Sequence, residues 1–136
     1  MPGYRVTRLD EVPTIPPDEP GDPDWRPLQH YLRLEAFGAN VYLAQAPGVF
    51  LIGEHDERRS GQEELYLVLS GRVRFTLDGE EVEGREGTVV TAAPEVVRSG
   101  IAMESGSAVF AVGATPHGRF ESTWDERHFE DVPQAG

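Results

Sequence analysis

The segment 61–71, GQEELYLVLSG, sets two carboxylates, Glu63 and Glu64, at the start of a run that is apolar almost to its end. An ionised carboxylate is costly to bury unless a positive group meets it, so an acid aimed into an interior implies a cation: a metal, a basic side chain or a ligand. Upstream, His55 and Glu57 stand two apart, which in an extended strand puts both side chains on one face. An imidazole with carboxylates, here His55, Glu57 and Glu64, is a donor set for a divalent ion such as Zn, Fe or Mn. Downstream lies Arg98, whose guanidinium stays protonated: it can pair with a desolvated carboxylate, ideally in bidentate fashion, but cannot ligate a metal. His117, in TPHGRF, has the neighbours of a turn residue. His30 and His128 fall in the terminal segments and read as surface groups. No Ser-His-Asp spacing, phosphate-binding Gly loop or nucleotide fingerprint stands out.

These side chains need a scaffold, and the punctuation of the chain indicates which. From Val41 to Gly113, short runs rich in Val, Ile, Leu, Phe and Tyr alternate with Gly, Asp and Pro at the intervals of an all-β sandwich or barrel. Val73, Phe75 and Leu77 alternate with Arg72, Arg74 and Thr76 before Asp78-Gly79, which predicts a hairpin. In the preceding run Leu65, Leu67 and Leu69 face one way, and Glu64, Tyr66 and Val68 the other. Both faces are apolar, so both call for cover: one looks into a barrel, the other meets an amino-terminal arm or a second subunit. Tyr66, Val68, Phe75 and Phe110 are candidates to line a pocket. The stretch 12–27, VPTIPPDEPGDPDWRP, carries too many prolines for a helix or a central strand and reads as an extended arm outside the core. Asp24 is a candidate cap for a short helix through Trp25, Leu28, Tyr31 and Leu32. The mixed-charge stretch GEHDERRSGQEE can also be read as a charged surface loop, above all in its middle, Arg58 to Gln62. The expected division is an arm over 1–30 and a β-barrel domain over 31–136.

The chain has 136 residues, with 12 basic against 24 acidic side chains and a net charge of −12. That size suits one domain. The charge disfavours nucleic acid and anionic lipid as partners. With no cysteine, disulfides and thiolate metal sites are excluded. The start MPGYR lacks the apolar stretch of a signal peptide, and no apolar run reaches the length of a membrane span, so a cytoplasmic, soluble protein is expected.

Glu64 followed by six residues and Gly71 resembles the end of the first conserved motif of the cupins. Gly87, the run Thr88 to Ala92, Pro94 and EVVRSG resemble their second. The resemblance covers about the central half of the chain. It implies a cupin-type double-stranded β-helix, a jelly-roll barrel with a ligand pocket inside, preceded here by the Pro-rich arm. Cupins span oxygenases, isomerases, decarboxylases, storage proteins and sensors, so the fold alone selects no chemistry. The family's usual metal site takes three His and one Glu. By spacing, the first two imidazoles fall among Glu57, Arg58, Arg59 and Ser60; Ala93 and Glu95 stand where Pro and Gly belong, and Arg98 where the last ligand belongs. That site cannot be built from these positions.

Two functions follow. The first is a binding barrel for a small organic molecule, with no cofactor, in which Arg98 pairs with Glu64, and in part with Glu57, where relatives hold a metal; Glu64, Tyr66, Phe75, Arg98 and Phe110 would contact the ligand. The second is an enzyme with a displaced divalent metal on His55, Glu57 and Glu64. The family resemblance and the apolar outer face of Leu65, Leu67 and Leu69 also imply a homodimer.

Overall fold

A computed structural model describes residues 3–135, so the outer bounds of the expected arm and barrel, 1 and 136, lie outside the described residues. Two antiparallel sheets face each other. The first contains β1 (Asp24–Arg26), β2 (Gly38–Leu43), β4 (Glu63–Ser70), β7 (Val89–Ala92) and β9 (Ala108–Ala114), ordered β1-β2-β9-β4-β7. The second contains β3 (Phe50–His55), β5 (Arg72–Leu77), β6 (Glu80–Arg85) and β8 (Arg98–Ala102), ordered β3-β8-β5-β6. From β2 on, consecutive strands alternate between sheets except at the β5–β6 hairpin, which turns at Asp78 and Gly79 with φ of 48° and 86°. Both signs suit a tight turn whose central residues need positive φ.

Alternation sorts the strands as the sequence implies. Tyr66 and Val68 of β4 and Val73 and Phe75 of β5 are buried, joining Leu51, Ile52, Val90, Ala102, Val109 and Ala111 in one core. On the other face of β4, Leu65 is exposed while Leu67 and Leu69 are half-buried. The outward residues of the β5–β6 hairpin pair by charge, Arg72 with Glu83 and Arg74 with Glu81.

The amino-terminal stretch, expected as an extended arm outside the core, is buried in part. Val12, Ile15 and Trp25 are buried. Ile15 and Trp25 exchange backbone hydrogen bonds of 2.7 and 3.0 Å, and Arg26 donates to the carbonyl of Val12 at 2.7 Å. Residues 24–26 pair with β2 as an edge strand. Prolines block a central strand but not an edge strand, whose outer N–H groups have no partner to lose. The helix expected from Trp25 onward shrinks to α1 (Leu28–Tyr31), with Pro27 at its cap position and no side-chain cap. Pro27 holds Arg26 in extended backbone, so Trp25 and Arg26 go to the sheet. Asp24 accepts from Gln45 Nε2 at 3.0 Å instead of capping.

The tail after β9 folds back across the barrel. A short 3₁₀ turn (Glu126–Phe129) is capped by Asp125, which accepts from the Arg127 amide. Trp124 stacks on Trp25 at 4.6 Å between centroids, and Trp25 on Tyr42 at 5.9 Å. No helix among the described residues is long and apolar enough to cross a membrane.

Candidate functional site

Between the sheets and under the tail lies a cavity of about 470 Å³. Its wall draws on β2 (Asn40, Tyr42), β3 (Ile52, His55), β4 (Glu64, Tyr66) and the tail (Trp124, His128). Leu51, Ile52, Tyr66 and Ala111 belong to both the core and this wall.

Its polar centre forms where β3 ends and β4 begins. The connecting turn is held by the Glu57 amide donating to Pro94 O at 2.8 Å and the Gly61 amide to Glu57 O at 2.7 Å. His55, Glu57 and Glu64 then converge, with one ligand atom from each lying within 4.8 Å of the others. His55 Nε2 is 3.1 Å from Glu57 Oε2 and 3.3 Å from Glu64 Oε1. Ser60 Oγ donates to Glu57 Oε1 at 2.6 Å and Tyr66 Oη to Glu64 Oε1 at 2.8 Å. Opposite Glu64 on β9 stands Gly113, where a Cβ would sit 3.3 Å from Glu64 Cγ and 3.0 Å from Gln62 Oε1. The missing side chain leaves room for the carboxylate.

The protonation of His55 can be worked out from its neighbours. Its Nδ1 lies 2.7 Å from Gly53 O, a carbonyl that only accepts, so Nδ1 carries a hydrogen. Its Nε2 meets two carboxylates, which also only accept. A positive species must therefore stand between Nε2 and the acids: a proton, making imidazolium, or a metal ion. In the metal-free protein the hydrogen bonds to Glu57 and then Glu64 raise the His55 pKa to about 10 against its burial. Burial pushes Glu57 upward, but its bonds to His55 and Ser60 prevail and hold it below the ordinary carboxylate value. Tyr66 is raised, first by burial and then by Glu64, so it stays a neutral donor.

Arg98 opens β8 directly across from His55. It points inward: its side chain has 0 % exposure, and Nη2 lies 3.8 Å from Glu64 Oε1. The same Nη2 donates to Ala93 O at 3.2 Å and Ala92 O at 3.4 Å, while Nε and Nη1 have no hydrogen-bond partner. The bidentate pair expected from the sequence is thus one longer contact, because the nitrogen nearest Glu64, Nη2, is shared with the backbone carbonyls at the end of β7.

Of the other candidates, Tyr66 lines the cavity. Phe75 is fully buried beneath it, 6.4 Å from the Tyr66 ring, and is core rather than wall. Phe110 pairs with Leu67, so it lies on the outer face and does not meet the cavity. Both strands are apolar on both faces, which hides parity. Arg58 and Arg59 are exposed, as a charged loop requires, whereas Ser60 and Gln62 turn inward. Gln62 is buried and donates to Glu121 O at 3.1 Å, pinning the tail. His117 is exposed beside its turn. His128, read as a surface group, lies in the wall 3.3 Å from Asp18 Oδ2, and His30 stacks on Phe129 at 4.3 Å. The aromatic spacing of the tail was the only signal for this.

No protein-family model and no curated protein sequence matches the chain. Solved structures do. KdgF from a Halomonas species aligns with a TM-score of 0.68 at 17% identity, over 84% of this chain and 96% of that one. A cupin protein from Bacteroides fragilis aligns at 0.65 and 21%, over 90% and 93%. A sugar phosphate isomerase of the cupin superfamily from Silicibacter pomeroyi aligns at 0.66 and 16%, over 89% and 83%. With its two facing antiparallel sheets and the cavity between them, this chain has the cupin fold.

Proposed function

We propose that the barrel binds a small organic molecule in its cavity, above a floor that neutralises its own charge. The observation that carries this reading is Arg98, fully enclosed and 3.8 Å from Glu64. Together with the His55 imidazolium it balances the two carboxylates, leaving no charge for a metal to cancel. A dication at the same place would stand close to a guanidinium that cannot deprotonate. The test is metal content by mass spectrometry of protein prepared without added metal, joined to thermal shifts against Zn²⁺, Mn²⁺ and Fe²⁺. Substoichiometric metal and no stabilisation are expected. About one tightly held ion per chain would overturn the reading.

A second reading has its own observation. The Nδ1 bond to Gly53 orients His55 Nε2 toward Glu57 and Glu64 as a metal ligand is usually oriented, and Tyr66 and Ser60 brace the two acids from behind. These three side chains would hold a divalent metal, which would supply Lewis acidity to a bound substrate. Tyr66 and Ser60 would keep the carboxylates aimed, and the aromatic wall would limit water.

We also assign a second copy of the chain to the outer face of the first sheet, where Leu65 and Val89 are exposed beside Leu67 and Phe110. Sedimentation at micromolar concentration should give a dimer; a monomer, with Leu65→Asp making no difference, would defeat this.

A further inference from the structure

Resting on the binding reading, we infer that the ligand is an organic cation, an ammonium or related group carried on a compact apolar body. The acids of the cavity wall are Asp18, Asp22, Glu54, Glu57 and Glu64, and among the described residues no arginine or lysine lines it. At the floor Glu57 and Glu64 meet His55 and Arg98, and Asp18 meets His128, which leaves Asp22 and Glu54 without a basic side chain among the lining residues. The same cavity is lined by the stacked rings of Tyr42, Trp25 and Trp124.

Each feature points to the same ligand charge. Acids in a recess with low-dielectric walls concentrate the field and repel anions such as a sugar phosphate. Arg98 cannot reverse this for a ligand, because its side chain is fully enclosed and is not among the residues that line the cavity. Aromatic rings attract cations through their quadrupoles and prefer weakly hydrated ones such as alkylammonium groups. A volume of about 470 Å³ accommodates a molecule of modest size with its shell removed.

The chain has two tryptophans, and both stand in this wall, so fluorescence excited selectively at tryptophan reports on the cavity. The experiment titrates metal-free, full-length protein with two matched pairs: choline against its neutral carbon isostere 3,3-dimethylbutan-1-ol, and benzylamine against benzyl alcohol. Saturable fluorescence changes are expected for the cations, with the neutral partners at least tenfold weaker, and choline affinity should fall about tenfold in Trp124→Ala but be largely kept in Trp124→Phe. Trp124 also stacks on Trp25, so the melting temperature of each variant is measured beside its affinity, and Trp124→Phe, which keeps a ring, separates lost packing from lost cation binding. Equal or tighter binding of the neutral partners would overturn the cation assignment while leaving a small-molecule barrel in place. Unchanged choline binding in Trp124→Ala would move the site off the wall and overturn the inference. If no member of either pair binds, both the inference and the binding reading fall, and stabilisation by a divalent metal alone would then favour the metal centre.

Discussion

Phe75 and Arg98 are among the largest fully buried side chains of the molecule, and they lie two strand positions apart across the same sheet. Phe75 is surrounded by apolar neighbours and carries no polar atom to satisfy. Arg98 carries a fixed charge, one contact to a carboxylate and two nitrogens without partners. Burial stabilises the first outright, whereas for the second it is a cost offset by Glu64 and two carbonyls. One sheet therefore hosts both an ordinary core and a polar floor that burial alone does not favour.

Phe75→Ala tests the core side with the largest effect. It should lower stability by about 3–5 kcal/mol in urea unfolding and leave divalent-metal affinity alone, because it removes packing and no charge. A loss below about 1 kcal/mol would erase the contrast. Arg98→Met should cost less, about 1–2 kcal/mol, since the loss of the Glu64 contact is offset by removing two unsatisfied donors. The same change should raise Zn²⁺ affinity at least tenfold by calorimetry; unchanged affinity would mean that Arg98 does not govern the floor.

The smallest effect sharpens the picture through pH. In metal-free protein His55 has its pKa raised from 6.5 to about 10, so its contribution is complete below the unfolded value and fades as pH climbs toward 10. Glu57 is depressed, so its contribution is complete above its ordinary value and is lost as pH falls through the folded one. Melting temperature should decline on both sides, and His55→Gln should flatten the alkaline limb. An alkaline limb identical in His55→Gln would remove the imidazolium from the floor.

Much of the architecture was legible because its signals are local. The β5–β6 hairpin is written in the alternation ending at Asp78-Gly79, and the inward strand positions Tyr66 and Val68 follow from the same alternation. His55, Glu57 and Glu64 come together as their spacing around one turn implies. Parity failed at Phe110, where β9 is apolar on both faces and nothing local distinguishes inside from outside. Trp25 was assigned to a helix because its spacing with Leu28 fits one; the preference that Pro27 imposes on extended backbone won. His128 was unreadable for a different reason: its partner Asp18 lies 110 residues away, and no local pattern encodes such a meeting.

The tail supplies Phe120, Trp124 and His128 to the cavity, yet the packed centre of the barrel draws on none of them. Part of the cavity lining is thus supplied by a stretch that lies outside the packed centre of the barrel. Substitutions after β9 therefore reshape that lining without touching the side chains that pack the centre between the sheets.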